Sequence, residues 1–236
     1  MALPQVNTPT YELAVPSTDE KIKYRPFLVK EEKILLIAME AQEQSGILNA
    51  VKDIVKSCTF DKFDVNRAPI FDIEYIFLNI RAKSVGEVST VNLRCPDDNE
   101  TFVQTEIDLT TVDVQITEGH TNKIELTDEM GMIMTYPTLD SFTDSTTVIN
   151  ASNMLDVIAS CVAQIYDKKG EDVYDAKDST KQEIVDFIES LNSKQFKEIQ
   201  NFFDTSPKLT HTVTIENPKT KVKSDITLTG LNDFFV

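Results

Sequence analysis

Tryptophan is absent, histidine occurs twice, cysteine three times and glycine six times in 236 residues. Each scarcity excludes a kind of chemistry. A closed metal site needs clustered His, Cys, Asp or Glu donors, and neither His120 nor His211 has another His or a Cys within six positions. Both histidines read as structural or surface residues, and no metal or other cofactor is expected. The glycines are too few and too scattered to form a phosphate-cradling loop or a dinucleotide fingerprint, so nucleotide binding is unsupported. Cys58, Cys95 and Cys161 are an odd number at wide spacing, which reads as free thiols in a reducing cytosol rather than a disulfide framework. Cys58 and Cys161 fall on apolar helical stripes, where thiols are buried and inert. Cys95, beside Pro96 at a hairpin edge, is the one candidate reactive thiol.

Basic side chains are also in short supply, 23 against 39 acidic ones, for a formal net charge of −16. Nucleic-acid binding draws on Lys and Arg neutralising phosphates, so a chain of this sign with no basic patch is expected to bind none. The longest apolar run, Ile34-Leu35-Leu36-Ile37-Ala38-Met39, falls far short of the roughly 18 residues that span a bilayer, so no membrane span is expected. The opening residues lack the basic and apolar regions of a secretory signal, and the chain is expected to stay where it is made.

What is present is ordinary for a folded protein: 41% hydrophobic and 26% charged residues. Alternation at Tyr11, Leu13, Val15 and then Ile22, Tyr24 predicts a hairpin around Pro16-Ser17-Thr18-Asp19-Glu20. Lys30-Glu31-Glu32-Lys33 opens a helix running to about Gln44, with its carboxylates in solvent at the positive end of the macrodipole. A second helix carries the stripe Ile47, Leu48, Val51, Ile54, Val55 and Cys58. A third, from about Ala68 to Lys83, is apolar nearly all round, which suits either a central core helix or one packed on a partner.

From Val85 to Tyr136 the pattern becomes alternating and rich in Thr and Val, which predicts four or more strands with an acidic turn at Pro96-Asp97-Asp98-Asn99. Helical periodicity returns from Ala151 through Leu155, Ile158, Val162 and Ile165. Thr180 or Ser179 with Glu183 forms a capping box for the next helix, with Ile184, Phe187, Ile188 and Leu191 on one face. Ser193 is positioned to cap the following helix of Phe196, Ile199 and Phe203. A closing hairpin spans Leu209 to Leu228 around Asn217-Pro218-Lys219-Thr220. The fold class is therefore α+β. It comprises an N-terminal hairpin and helical core (1–84), a β-rich central segment (85–136), and C-terminal helices closed by a hairpin (137–236), read as one compact unit with a β-rich insert.

Several blocks of sequence go beyond composition. They begin with Met1-Ala2-Leu3-Pro4, Pro16-Ser17-Thr18 and Tyr24-Arg25-Pro26-Phe27-Leu28-Val29-Lys30-Glu31-Glu32-Lys33. Phe71-Asp72-Ile73-Glu74-Tyr75-Ile76-Phe77 follows, with Arg81 and Ser84-Val85-Gly86-Glu87. Further blocks are Met134-Thr135-Tyr136-Pro137-Thr138, Asp156 to Tyr166, Thr180-Lys181-Gln182-Glu183, Phe196 to Phe203, Pro207-Lys208-Leu209, Gly230-Leu231 and Phe234-Phe235, so that the set spans nearly the whole chain. In this order the blocks resemble a small family of baseplate hub proteins from T-even-type, contractile-tailed bacteriophages. The resemblance implies a virion structural or assembly role without enzymatic activity. Its partners would be other baseplate hub or tail proteins. The host cytoplasm would be its site during assembly, and the virion tail baseplate its destination if it is a resident subunit. Some relatives carry Cys-x-x-Cys knuckles in the β-rich insert or the terminal hairpin. Here Cys95 stands alone and the last hairpin has no cysteine, so zinc is not carried over.

Two functions of different class follow. One is an interaction protein of the phage baseplate, either a resident hub subunit or an assembly factor that leaves. The other is a cytosolic enzyme using the free thiol of Cys95 or paired carboxylates such as Asp97-Asp98 and Asp128-Glu129, although such acidic pairs usually mark solvated turns. The interaction reading rests on two apolar features whose cover the sequence leaves open: the third helix, with Phe71 and Phe77, and the tail, with Leu231, Phe234, Phe235 and Val236. No small-molecule substrate is expected.

Overall fold

A computed structural model describes residues 7–41, 44–139, 141, 153–168 and 172–234, and among them the fold is α+β, with six helices and eleven strands. The described residues form two units, one from within 1–115 and 208–236, the other from within 116–207. These divisions fall at other positions than the 84/85 and 136/137 boundaries that composition suggests. The reason is strand pairing. Asp113–Gln115 (β5) pairs with Lys208–Glu216 (β10), so the β-rich stretch is divided according to its partners.

In the first unit, Tyr11–Ala14 (β1) and Lys21–Tyr24 (β2) form the expected hairpin, with Tyr11 opposite Tyr24. Three helices follow: Val29–Ala41 (α1), Gln44–Cys58 (α2) and Ile70–Val85 (α3). The α2 stripe is buried at Val51, Ile54, Val55 and Cys58. The apolar circumference of α3 is accounted for within the unit: Phe71, Ile73, Ile76, Phe77, Leu78 and Ile80 are all buried. Its buried Asp72 accepts the Ser17 amide at 3.0 Å and the Ser17 hydroxyl, fastening the first hairpin's turn to the helix.

Val88–Arg94 (β3) and Phe102–Asp108 (β4) form a second hairpin, in which Ser89, Val91 and Leu93 point inward at the strand period of two. With Lys223–Thr229 (β11) beside β10, these strands and α3 enclose a core of Leu78, Val91, Ile107, Leu209, Leu228 and Phe234, among others.

The second unit is built on an antiparallel sheet in the order β6-β7-β8-β9, formed by Lys123–Glu125, Met130–Met134, Val162–Asp167 and Val173–Asp175. Met154–Ser160 (α4), Lys181–Glu189 (α5) and Ser193–Thr205 (α6) complete it. The helix expected from Ala151 through Ile165 is corrected here. Ala151 lies outside the described residues, the helix stops at Ser160, and Val162 to Asp167 is a strand bonded on both sides, with Ile165 opposite both Met132 and Tyr174. Val, Ile and Tyr in that segment suit a pleated, half-buried surface, and two waiting partners decide the matter.

Thr180 and Glu183 form the expected capping box. The cap of α6, however, is Asn192 rather than Ser193. Its side-chain oxygen accepts the amides of Lys194 and Gln195 at 2.9 and 3.1 Å, and Gln195 Oε1 accepts the Asn192 amide in return. Phe202, not named by the periodicity, is the fully covered aromatic of α6, while Phe196 and Phe203 are half-buried.

Candidate interaction surface

Helix α1 starts where the sequence places a carboxylate-rich first turn, but one of those carboxylates does more than face solvent. Glu31 is 4% exposed and is the one buried residue of the helix. Its Oε2 accepts the Leu28 amide at 2.7 Å, and its Oε1 accepts Arg25 Nη2 at 2.9 Å and Ser57 Oγ at 3.0 Å. The Arg25 amide donates to the Cys58 carbonyl at 3.0 Å, and Nη1 donates to the Pro26 carbonyl at 2.9 Å. A buried charge persists only when paired and hydrogen-bonded, and this one is both. Burial alone would raise the Glu31 pKa, but the bonds from Arg25, Leu28 and Ser57 outweigh it and lower the value to about 2. The reading of this turn as wholly solvated is thereby corrected.

Beyond the charged residues Lys30, Glu32, Lys33 and Glu40, much of α1 is apolar and exposed. Val29 is 80% exposed, Ile34 46%, Leu36 54%, Ile37 55% and Met39 46%, while Leu35 and Ala38 are half-buried. At about 100° per residue, Glu31, Leu35 and Ala38 fall together on the side facing the unit. The exposed residues then form two flanks, Val29, Leu36 and Met39 on one side and Ile34 and Ile37 on the other. Monomeric proteins rarely leave so many neighbouring apolar side chains in water, and such patches mark contact sites. All of the exposed ones except Val29 belong to the longest apolar run in the sequence, Ile34 to Met39.

The expected partner residues lie elsewhere. Phe71 and Phe77 are buried in α3, and Phe234 is fully buried, so within the described residues these three pack into the chain's own core. Leu231 is half-buried against the same core, and Phe235 and Val236 lie outside the described residues. The segment is tied down by polar contacts as well. Ser89 Oγ donates to the Phe234 carbonyl at 2.7 Å, and the Leu231 amide donates to Glu74 Oε1 at 3.2 Å. Desolvation raises the Glu74 pKa to about 7, the Leu231 amide opposing it weakly. Gly230 turns at φ +71°, and a Cβ there would stand 3.1 Å from the same carboxylate oxygen.

A family model described as T4 bacteriophage base plate protein matches residues 8–236. The chain belongs to that family. No curated protein and no solved structure matches it. Membership makes it a phage baseplate protein, whose kind assembles with other tail proteins, and it gives the bare helix a context.

Cys95 is 1% exposed, and burial first, then Asp97 and Asp98, raise its pKa, so it is not an accessible thiolate and the reactive-thiol reading is corrected. Burial likewise raises Cys58 and Cys161 to about 11. Asp97 and Asp98 are engaged rather than merely solvated. Asp97 accepts Asn217 Nδ2 at 3.0 and 3.1 Å and Thr220 Oγ1 at 2.5 Å, while Asp98 accepts the Thr101 hydroxyl at 2.6 Å. These bonds hold both carboxyls below their usual range. The Asp97 bonds also join the β3–β4 turn to the β10–β11 turn.

His120 bridges Thr205 Oγ1 at 2.9 Å and the Tyr136 hydroxyl at 3.0 Å and stacks on Tyr136, with its pKa lowered by burial. Among the described residues no group of three or more His, Cys, Asp or Glu is placed to hold a metal, and no helix is long and apolar enough to cross a membrane.

Proposed function

We propose that this baseplate protein is a hub component or hub assembly factor that works through protein–protein contacts, with no catalysis of its own. The observation that carries the reading is α1. Five large apolar side chains stand in water on a helix held to the unit by a buried ion pair. Such an element costs solubility unless a partner covers it, and in this family the partners at hand are other tail proteins. The resemblance of several sequence blocks to baseplate hub proteins supports the hub as the location within the baseplate, and the −16 charge argues against a nucleic-acid role.

Quantitative mass spectrometry of purified particles, of tail intermediates and of infected-cell lysate tests this. Stoichiometric presence in particles identifies a resident hub subunit, and enrichment in tail intermediates with loss from particles identifies an assembly factor. Absence from both contradicts the proposal.

A further inference from the structure

We infer that the groove between β6 and α6, within the 116–207 unit, takes an extended, Lys- or Arg-bearing segment of another tail protein, which joins the sheet as a fifth strand along the open edge of β6. This contact is separate from α1, and it rests on membership of the baseplate family rather than on the hub assignment.

Among the described residues, the strand order places β6 at one end of its sheet, beside β7. The Met134 amide donates to the Asn122 carbonyl at 2.8 Å, and the Leu126 amide donates to the Met130 carbonyl at 3.1 Å. Bonded and non-bonded positions alternate in an antiparallel pair. Asn122, Ile124 and Leu126 therefore aim their backbone groups at β7, and Lys123 and Glu125 aim theirs the other way. Thr121 Oγ1 accepts the Lys123 amide at 3.1 Å. The Lys123 carbonyl and the amide and carbonyl of Glu125 meet no partner among the described residues, and they form the row with which an incoming strand pairs.

Beside that row lies a groove of about 890 Å³, lined by β6 with its flanking turns and by the Lys194, Glu198, Asn201 and Thr205 line of α6. Gln195 Nε2 donates to the Leu126 carbonyl at 3.3 Å and holds the helix beside the strand. The apolar lining residues Ile124, Leu126 and Phe202 are already buried in the unit's own core. A small apolar ligand gains little there, because such ligands need apolar walls around most of their surface. An extended backbone gains main-chain hydrogen bonds from the edge instead.

The ionic residues lining the groove are Glu118, Lys123, Glu125, Asp128, Lys194 and Glu198. The Lys123 ammonium lies 5.4 Å from the centroid of the Tyr166 ring, and the Glu125 carboxylate pairs with Lys168. Both side chains belong to the sheet face opposite Ile124, as strand alternation requires. Three exposed carboxylates, Glu118, Asp128 and Glu198, are left against Lys194. This negative excess sits at the groove itself, and it favours Lys and Arg in the bound segment.

The probe is a set of overlapping short peptides covering the tail proteins of the same phage, titrated against the full chain by fluorescence anisotropy and followed by amide hydrogen exchange. The expected result is saturable binding by at least one Lys- or Arg-rich peptide, weakened by added salt, with slowed exchange at the Glu125 amide. Glu125→Pro removes the outward amide without taking a bond from the β6–β7 ladder, so the fold is kept and affinity falls by about tenfold or more. Glu125→Ala removes the same carboxylate, keeps the amide and binds like the parent chain. Asp128→Lys with Glu198→Lys weakens binding and reduces its salt dependence. A circular dichroism melt checks each variant. If Glu125→Pro fails to fold, exchange at the Glu125 amide of the parent chain decides alone. Failure of every peptide to bind, preference for acidic peptides, free exchange at Glu125 in the complex, or full affinity in folded Glu125→Pro would overturn the inference. None of these results bears on the hub reading, which the particle and lysate mass spectrometry decides.

Discussion

Glu31 and Glu74 are both carboxylates taken out of water, and their neighbours push them in opposite directions. Glu31 meets a guanidinium, a hydroxyl and an amide, and its pKa falls to about 2. Its contribution to stability is present above the unfolded value of 4.5 and is lost as pH falls through 2. The shift corresponds to about 3 kcal/mol, so urea melts between pH 5 and pH 2 should show a loss of that order. Glu31→Gln should cost about 3–5 kcal/mol at pH 7, because it strands the buried Arg25 charge, and should flatten the acid limb of the profile.

Glu74 has one weak donor and is raised to about 7. The sign reverses: the favourable protonated state is fully present below 4.5, and stability is lost as pH rises through 7. Glu74→Gln keeps an acceptor for the Leu231 amide and removes the charge. It should therefore raise stability at pH 8 by up to about 3 kcal/mol and leave it unchanged at pH 4, as read by melting at the two pH values. Neither environment is legible in sequence. Ser57 stands 26 positions from Glu31 and Leu231 stands 157 from Glu74, so the pairings exist only once the chain has folded.

Local pattern served well for elements whose partners are nearby. The β1–β2 hairpin, the capping box of α5 and the alternating β3 strand all follow from spacing that the structure reproduces. It misled at Val162 to Asp167, where Val162 and Ile165 continue a helical stripe from Leu155 and Ile158, yet β7 and β9 capture the segment as a strand. Gly131 records that capture. A Cβ there would fall 2.2 Å from the Tyr166 hydroxyl oxygen, so the ring lies directly over the glycine across the strand pair. Gly131→Ala should destabilise the 116–207 unit by about 1–3 kcal/mol through overpacking, measurable as earlier hydrogen exchange at the β7 and β8 amides. A second failure of local reasoning concerns α1 and α3. Both are apolar on most sides, and the choice between core and surface was made by the surrounding elements, which enclose α3 and leave α1 bare.

At the scale of the whole molecule, the apolar tail needs cover from either the core or a partner, and Phe234 has its cover within the first unit. Phe234→Ala should lower the stability of the isolated protein by about 3–5 kcal/mol, seen as a lower denaturant midpoint with an unchanged slope. Among the described residues of this baseplate family member, α1 carries five exposed large apolar side chains, and its docking is the central claim. The most direct measurement is the yield of infectious particles when a phage lacking this protein is complemented with the Leu36→Lys, Ile37→Lys double variant. Both side chains are more than half exposed, so the variant should melt like the parent chain while tail assembly and particle yield collapse. Parental yield from a correctly folded variant would contradict the claim that α1 is the surface by which this protein joins the baseplate.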